Sequence, residues 1–300
     1  MITEKWNELT GNNAELPLEY SQGLLYKFDE EAQGYVVKGI SKSAAAHIVV
    51  PDTYGDYPVV AIGERAFYNC ETLISITIPD SVTTIGYSAF ESCSSLTSVT
   101  IPNSITAIGA SAFESCPTLK DVYITDVAAW CNISFDNYYA NPLYYAKNLY
   151  LDGELITELV IPDSVTTIGS YAFSNCDSLT SVTIPDSVTT IGSYAFYGCT
   201  SLTGVTIPDS VTCIGNAAFA FCTSLTNVTI PDSVTCIGNA AFSGCNSLTS
   251  VIFEDPTGWW YADTSDATSG TTISESDLAD ASTAANYLTS TYNWYYWFKD

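Results

Sequence analysis

The sequence predicts an α/β solenoid. The expected form is a right-handed superhelix with a parallel strand on the concave face and short helical or 3₁₀ turns opposite. An N-terminal β-hairpin cap and a C-terminal mixed cap are expected to close its ends. Three observations predict it. A 23-residue unit, IPDSVTTIGSYAFYGCTSLTGVT at Ile184 to Thr206, recurs without a gap from Ile161, Ile207 and Ile230, and again from Ile78. Fifteen of its 23 positions are identical in all five copies, and a looser copy starts at Ile101. A fixed period in this range marks a solenoid, because one coil cannot bury its apolar side alone and neighbours must share a core.

Within the unit, the apolar positions Ile184, Val188, Ile191, Ala195, Phe196, Cys199, Leu202 and Val205 fit no single helical or strand period. They fit a coil that turns several times and points an apolar residue inward on each side. Leu202, Val205 and Ile207 have the L-x-x-L-x-L spacing of a leucine-rich-repeat strand. Pro208 ends the ladder because it has no N–H. Asp209 and Ser210 are suited to bonding nearby backbone in the turn. Gly215 marks the next turn, where positive φ is cheap. The segment NAAFAFC has room for one or two helical or 3₁₀ turns. At about 4.8 Å per rung, about eight coils make a body roughly 40 Å long.

Taken in order, residues 1–16 are polar and aperiodic and read as a disordered leader or an expression remnant. Residues 17–49 form the N-terminal cap, with GLLYKFDEEAQGYVVKGI at 23–40 as a hairpin. The repeats occupy 50–255. The first coil carries five extra residues around Tyr54-Gly55-Asp56-Tyr57. An enlarged coil spans 124–160, where Asp126 can N-cap a short helix through Trp130 and NLYLDGELIT reads as a hairpin with an Asp152-Gly153 turn. Residues 256–300 form an aromatic cap, with strands near Gly258–Ala262 and NWYYWF and one helix, DLADASTAANYL, capped by Ser276.

Composition excludes several function classes. Eight Lys plus Arg against 33 Asp plus Glu give a net charge of −25, which repels nucleic acid and anionic membranes. No apolar run approaches the length of a spanning helix, so membrane insertion is not expected. MITEKWNELTGNNAEL lacks the apolar region of a signal peptide, so the residues alone suggest a cytoplasmic protein or one whose leader has been removed. Cys70, Cys93, Cys116, Cys176, Cys199, Cys222 and Cys245 share one repeat position after the Ala-Phe pair and read as a buried ladder of free thiols. Cys213 and Cys236 share another position and are the one pair suited to a bridge. No cofactor or metal motif is present. The Asp row of Asp80, Asp163, Asp186, Asp209 and Asp232 offers one carboxylate per coil, too few for Ca²⁺, and reads as turn capping. His47 is the only histidine, and no nucleophile motif surrounds it.

The pattern IPDSVTTIG–AF–C–SLTSV resembles the BspA-like class of bacterial leucine-rich repeats. The modules DVAAWCNISF…LYLDGELITELVIPDSV and GWWY…SDLADASTAANYL…YYW are also similar to ones recurrent in that class. The resemblance implies an extracellular or cell-surface protein of a host-associated bacterium, with adhesion as the usual role and no enzymatic activity.

Two surfaces are candidates for that role. On the concave strand face, Thr77, Thr100, Tyr123, Thr183, Thr206, Asn227 and Thr229 point outward, with Ser75, Ser98, Asp121, Ser181 and Gly204 beside them. Such rows suit hydrogen bonding to a protein or a glycan, although Thr is also simply favoured on an exposed strand. In the insert, Trp130, Tyr138, Tyr139, Tyr144 and Tyr145 either contact a partner or pack the bulged coil. The tail tryptophans Trp259, Trp260, Trp294 and Trp297 read more readily as a seal than as a sugar platform. The expected function is a non-catalytic binding or adhesion module for a protein or glycan on a host or bacterial surface. The alternative is a structural spacer or self-associating scaffold, and a weak third reading is a glycan-active enzyme.

Overall fold

The computed structural model describes residues 23–40 and 46–300. The sequence-derived leader at 1–16, and residues 17–22 and 41–45 of the N-terminal segment, lie outside the described residues. The chain divides into two compact units, one holding the chain up to Thr125 together with Ile133–Ala146, the other holding Asp126–Asn132 and Lys147–Asp300. Each is a stack of parallel coils.

The coil from Ile184 to Thr206, in the second unit, shows how the repeat folds. Ile184, Val188, Ile191, Ala195, Phe196, Cys199, Leu202 and Val205 are all buried, as their spacing predicts. Gly204–Thr206 and Thr190–Ile191 are its two short strands. Where a helical or 3₁₀ turn is expected, the chain is neither. Tyr194, Phe196 and Gly198 donate their N–H groups to Asn216, Ala218 and Ala220 of the next coil, at 2.8 Å each. The residues between them, Ala195, Tyr197 and Cys199, donate three positions back within their own coil. Left-handed residues at Tyr194 (φ 59°) and Gly198 (φ 70°) impose this alternation. A helix would spend every donor inside one coil, whereas this path spends half of them on the neighbour.

The glycine expectation also changes. Positive φ falls two residues later than Gly215, at Ala217. Gly215 itself is required by close approach: a Cβ there would lie 2.5 Å from the Ser193 nitrogen and 2.6 Å from the Gly192 carbonyl carbon of the preceding coil. In the turn after the strand, Ser210 does the bonding, its hydroxyl donating to the Val188 carbonyl at 2.6 Å. Ser187 and Ser233 repeat that bond to Val165 and Val211.

In the first unit, a hairpin of Leu24–Asp29 and Gly34–Ile40 pairs in parallel with Tyr57–Ile62. That ladder continues through Thr84–Ile85, Ala107–Ile108 and Ser134–Phe135. The five extra residues of the first coil make a small hairpin, Thr53–Tyr54 against Tyr57–Pro58, that packs on the N-terminal one. Tyr54 stacks on Tyr26 at 4.3 Å, and Tyr57 meets Phe28 edge-on at 4.8 Å. The second row of strands is His47–Val49, Ser75–Thr77, Ser98–Thr100 and Asp121–Ile124.

In the second unit, Asp126 caps the helix Val127–Cys131 through the Ala128 and Ala129 N–H groups. The Asn148–Leu151 and Glu154–Leu155 strands turn at Asp152 (φ 50°) and Gly153 (φ 86°). Five parallel strands follow: Glu158–Val160, Ser181–Thr183, Gly204–Thr206, Asn227–Ile230 and Ser250–Phe253. On the other row, Cys213 and Cys236 are disulfide-bonded, Cα to Cα 4.8 Å. The tail strand Tyr296–Lys299 pairs antiparallel with Cys236–Ile237 and with Trp259–Ala262.

The helical part of the tail differs from the single helix expected. Glu275–Ala279 and Ala281–Asn286 are separate helices, followed by a π turn at Tyr287–Thr291. Asp280 breaks them, extended at φ −88° and ψ 107°, and its carboxylate caps the second through the Thr283 N–H at 2.8 Å. This is the competition between a short polar side chain and the helix backbone. Ser276 does not cap the helix; its hydroxyl meets that of Ser274 at 2.7 Å.

Candidate functional site

The outward positions of the strand rows are the first candidate. In the second unit the pairing register aligns Val160 with Thr183, and Thr183 with Thr206. The Gly204–Asn227 pair carries the register on, and Thr229 aligns with Ile252. Val160, Thr183, Thr206, Thr229 and Ile252 are all exposed. Parallel rungs about 4.8 Å apart make this a strip roughly 19 Å long, with aliphatic ends and a middle of paired methyl and hydroxyl groups. Ser181 and Asn227 are exposed beside it, and Gly204 leaves a gap. In the first unit, Val49, Thr77, Thr100 and Tyr123 align in the same way. Thr77 and Thr100 are exposed there, and Tyr123 is half-buried.

Sequence reasoning missed Val49, Val160 and Ile252, which are 52%, 66% and 53% exposed. The signal was present: each stands where the repeat puts threonine. Their β-branched shape fits the strand, but among the described residues nothing covers them.

The other threonines have structural work. Thr180, Thr203 and Thr226 donate their hydroxyls to the carbonyls of Thr157, Thr180 and Thr203, one coil back. Thr189, Thr212 and Thr235 do the same on the opposite row. Thr183, Thr206 and Thr229 make no such bond, so their hydroxyls are free for an outside group among the described residues.

The insert residues do not act together as grouped from the sequence. Trp130 is 1% exposed, in the core of the second unit, and its indole N–H donates to the Ala172 carbonyl at 2.7 Å. It packs the core and presents no surface to a partner. Tyr138, Tyr139, Tyr144 and Tyr145 belong to the first unit and do cluster. Tyr139 lies 4.2 Å from Tyr138 and 4.8 Å from Tyr144, and Tyr144 lies 5.0 Å from Tyr145. Hydrogen bonds with Tyr138 and Tyr144 hold the Tyr139 phenol above its usual pKa. Tyr138 is exposed and the others half-buried.

The tail tryptophans divide. Trp259 and Trp297 are each 1% exposed and pack on Phe253, at 5.1 and 6.2 Å. Trp260 is half-buried, its indole N–H donating to Asp300. Trp294 is exposed.

Two arrangements bear on chemistry. His47 Nδ1 lies 2.8 Å from the Ser75 hydroxyl. The acid of that row, Asp121, stands three rungs from His47, roughly 14 Å, too far to orient the ring as a triad requires. In the Asp row, Asp80, Asp163, Asp186 and Asp209 are exposed and make no turn-capping bond among the described residues. Asp232 is instead held by Lys299 Nζ at 2.6 Å. Among the described residues, no group of three or more His, Cys, Asp or Glu side chains is placed to hold a metal ion. No helix of the described residues is long and apolar enough to cross a membrane.

No curated protein matches the chain. Among solved structures, a leucine-rich repeat protein of Treponema pallidum is 27% identical over 78% of this chain and 91% of its own, with a TM-score of 0.46. A leucine-rich cell surface protein of Faecalibacterium prausnitzii is 29% identical over 85% of this chain and 58% of its own, also at 0.46. A Bacteroides ovatus leucine-rich repeat protein is 26% identical over 77% and 70%, again at 0.46. The BspA type leucine-rich repeat region matches in six copies over residues 46–141 and 145–258, the stretch in which the Phe and Cys ladders repeat. With well over half its length matched, the chain belongs to the BspA-type leucine-rich-repeat family.

Proposed function

We propose that this protein is a non-catalytic binding module of the bacterial surface that holds an extended segment of a partner protein along the strand strip of its second unit. The observation that carries this reading is the aligned row Val160, Thr183, Thr206, Thr229 and Ile252, exposed on a backbone that its own hydrogen bonds hold rigid. An extended peptide repeats its side chains every two residues, and a ridged strip of methyls and hydroxyls can meet both its apolar and its polar groups. The aliphatic ends supply apolar contact area, and the hydroxyls supply register. A net charge of −25 steers basic partners toward the surface and opposes association between copies, which disfavours the self-associating scaffold. The surface location rests on the family.

The test is binding to an array of matrix proteins and glycans, with a variant carrying Thr183→Glu, Thr206→Glu and Thr229→Glu alongside. Saturable binding to a protein, lost in the variant while its melting temperature holds, is the expected result. Binding that survives the three substitutions would remove the strip from the mechanism.

A further inference from the structure

A second surface lies on the first unit, among the turns that flank the cysteines. There the backbone is fixed by the core, since Cys93 and Cys116 donate their thiols to the Phe67 and Phe90 carbonyls. The residues on either side of each cysteine are therefore held in place whatever their side chains. They line a groove of about 390 Å³, with Asn69, Ser92 and Ser115 before the cysteines, Glu71 and Ser94 after, and Tyr145 as its aromatic wall. The Tyr145 hydroxyl accepts the Ser115 N–H at 3.1 Å, which pins the ring.

The same repeat positions are used differently in the second unit. Of the residues before the cysteine there, Gly198, Phe221 and Gly244 offer no polar side chain, and the Asn175 amide donates to the Ser174 hydroxyl at 3.2 Å. Three of the four residues after it bond along the stack: Thr200 donates to the Asp177 carboxylate at 3.2 Å and Thr223 to the Thr200 carbonyl at 3.3 Å. In the first unit the Asn69, Glu71, Ser92 and Ser94 side chains make no hydrogen bond to another described residue. The stack does not need these polar groups, yet they converge on one concave surface beside a fixed aromatic ring.

We propose that this groove binds one pyranose residue of a glycan. A tyrosine ring offers an apolar surface to the C–H groups of the sugar, and a carboxylate, an amide and hydroxyls offer the mixed donors and acceptors that a vicinal diol needs. The volume suits a single ring. Glu71 sets the selectivity: it accepts strongly from neutral diols and from amino groups, and it repels uronic and sialic acids. This site shares no residue with the strand strip, so it stands or falls independently of it.

The test is a titration of the isotope-labelled full chain, followed by amide NMR, with the methyl glycosides of glucose, galactose and mannose, with N-acetylglucosamine, and with glucuronate. Each is taken to about 50 mM, because a ligand of this size in an open site binds with a dissociation constant of about a millimolar. At least one uncharged sugar is expected to give saturable shifts confined to Asn69, Ser92, Ser94, Ser115 and Tyr145, and glucuronate none. Glu71→Gln with Ser94→Ala, both exposed changes that leave the core intact, is expected to weaken binding about tenfold or more, the scale of one lost charge-assisted hydrogen bond. Silence at these amides for every uncharged sugar overturns the proposal. So does equal binding of glucuronate, or binding that the paired substitution leaves unchanged.

Discussion

The Cys222 thiol donates to the Phe196 carbonyl oxygen at 3.1 Å, one coil back. Cys199 and Cys245 make the same bond to Phe173 and Phe219. The repeat therefore uses cysteine as more than a small apolar filler: its S–H adds a second hydrogen bond to a buried carbonyl that already accepts the N–H of the cysteine three residues on. Burial raises the Cys116 and Cys131 thiols to about 12 and Cys176 to about 11, and Cys199 and Cys222 well above their ordinary value. In the unfolded chain a thiol titrates at about 8.5. The folded state thus keeps protons that the unfolded state has lost, so this stability is complete below about pH 8.5 and drains away as pH rises toward 11–12. The melting temperature should be flat up to about pH 8.5 and fall above it. At pH 8 the eight buried thiols should resist iodoacetamide until the chain unfolds. Rapid native labelling at that pH would contradict the burial.

Phe196 stacks between Phe173 at 5.4 Å and Phe219 at 5.3 Å, with ring planes within 11° and 5° of parallel. It is fully buried. Phe196→Ala should cost about 3–5 kcal/mol, as for a buried Phe whose cavity cannot collapse between fixed coils. Chemical denaturation measures this directly. A loss under about 1 kcal/mol would mean that neighbouring rings refill the space.

Gly215→Ala tests the close approach of coils. The added carbon would fall on the Ser193 nitrogen and the Gly192 carbonyl carbon, which are backbone atoms with no rotamer to escape into. Overpacking of this kind costs about 1–3 kcal/mol. Gly204→Ala is the control, since a Cβ there meets nothing within 4 Å. It should be neutral or slightly stabilising. Equal effects for the two would show that contact with the preceding coil does not govern the site.

These contrasts show which parts of the fold were legible in the sequence. The repeat length and the inward positions could be read from identity alone, because every coil must meet its neighbour with the same atoms. The Asp126 cap, the Asp152-Gly153 turn and the Cys213–Cys236 bridge were legible for the same kind of local reason. The turns around Phe196 were not. Two left-handed residues per coil decide that path, Tyr194 and Gly198 here and Ser88 (φ 51°) and Ser92 (φ 62°) in an earlier coil, and neither Tyr nor Ser advertises positive φ. The sequence leaves Trp130 open between partner contact and packing, because the partner that decides it, Ala172, lies 42 residues away. The groove around Ser92 and Ser94 was invisible because its argument is comparative: only the other unit's bonded threonines show that these serines are spare.

Lys299 binds the tail to the last coils through two carboxylates, Asp232 at 2.6 Å and Asp255 at 2.8 Å. The hydrogen bond from Lys299, with those from the Thr257 hydroxyl and N–H, holds Asp255 well below the usual carboxylate range. A depressed folded-state value means that the unfolded chain takes up its proton first as pH falls. The contribution is therefore whole above about pH 3.9 and lost progressively below it. Tryptophan fluorescence is weighted toward the tail, which holds four of the six tryptophans, Trp259, Trp260, Trp294 and Trp297. Its acid transition should begin below about pH 4. Asp255→Asn should flatten that acid limb while leaving the alkaline limb, set by the thiols, in place. Should Asp255→Asn keep the full acid slope, the charge on Asp255 would have no part in holding Tyr296–Lys299 against Cys236–Ile237. The antiparallel backbone pairing and the Trp297–Phe253 packing would then be sufficient by themselves.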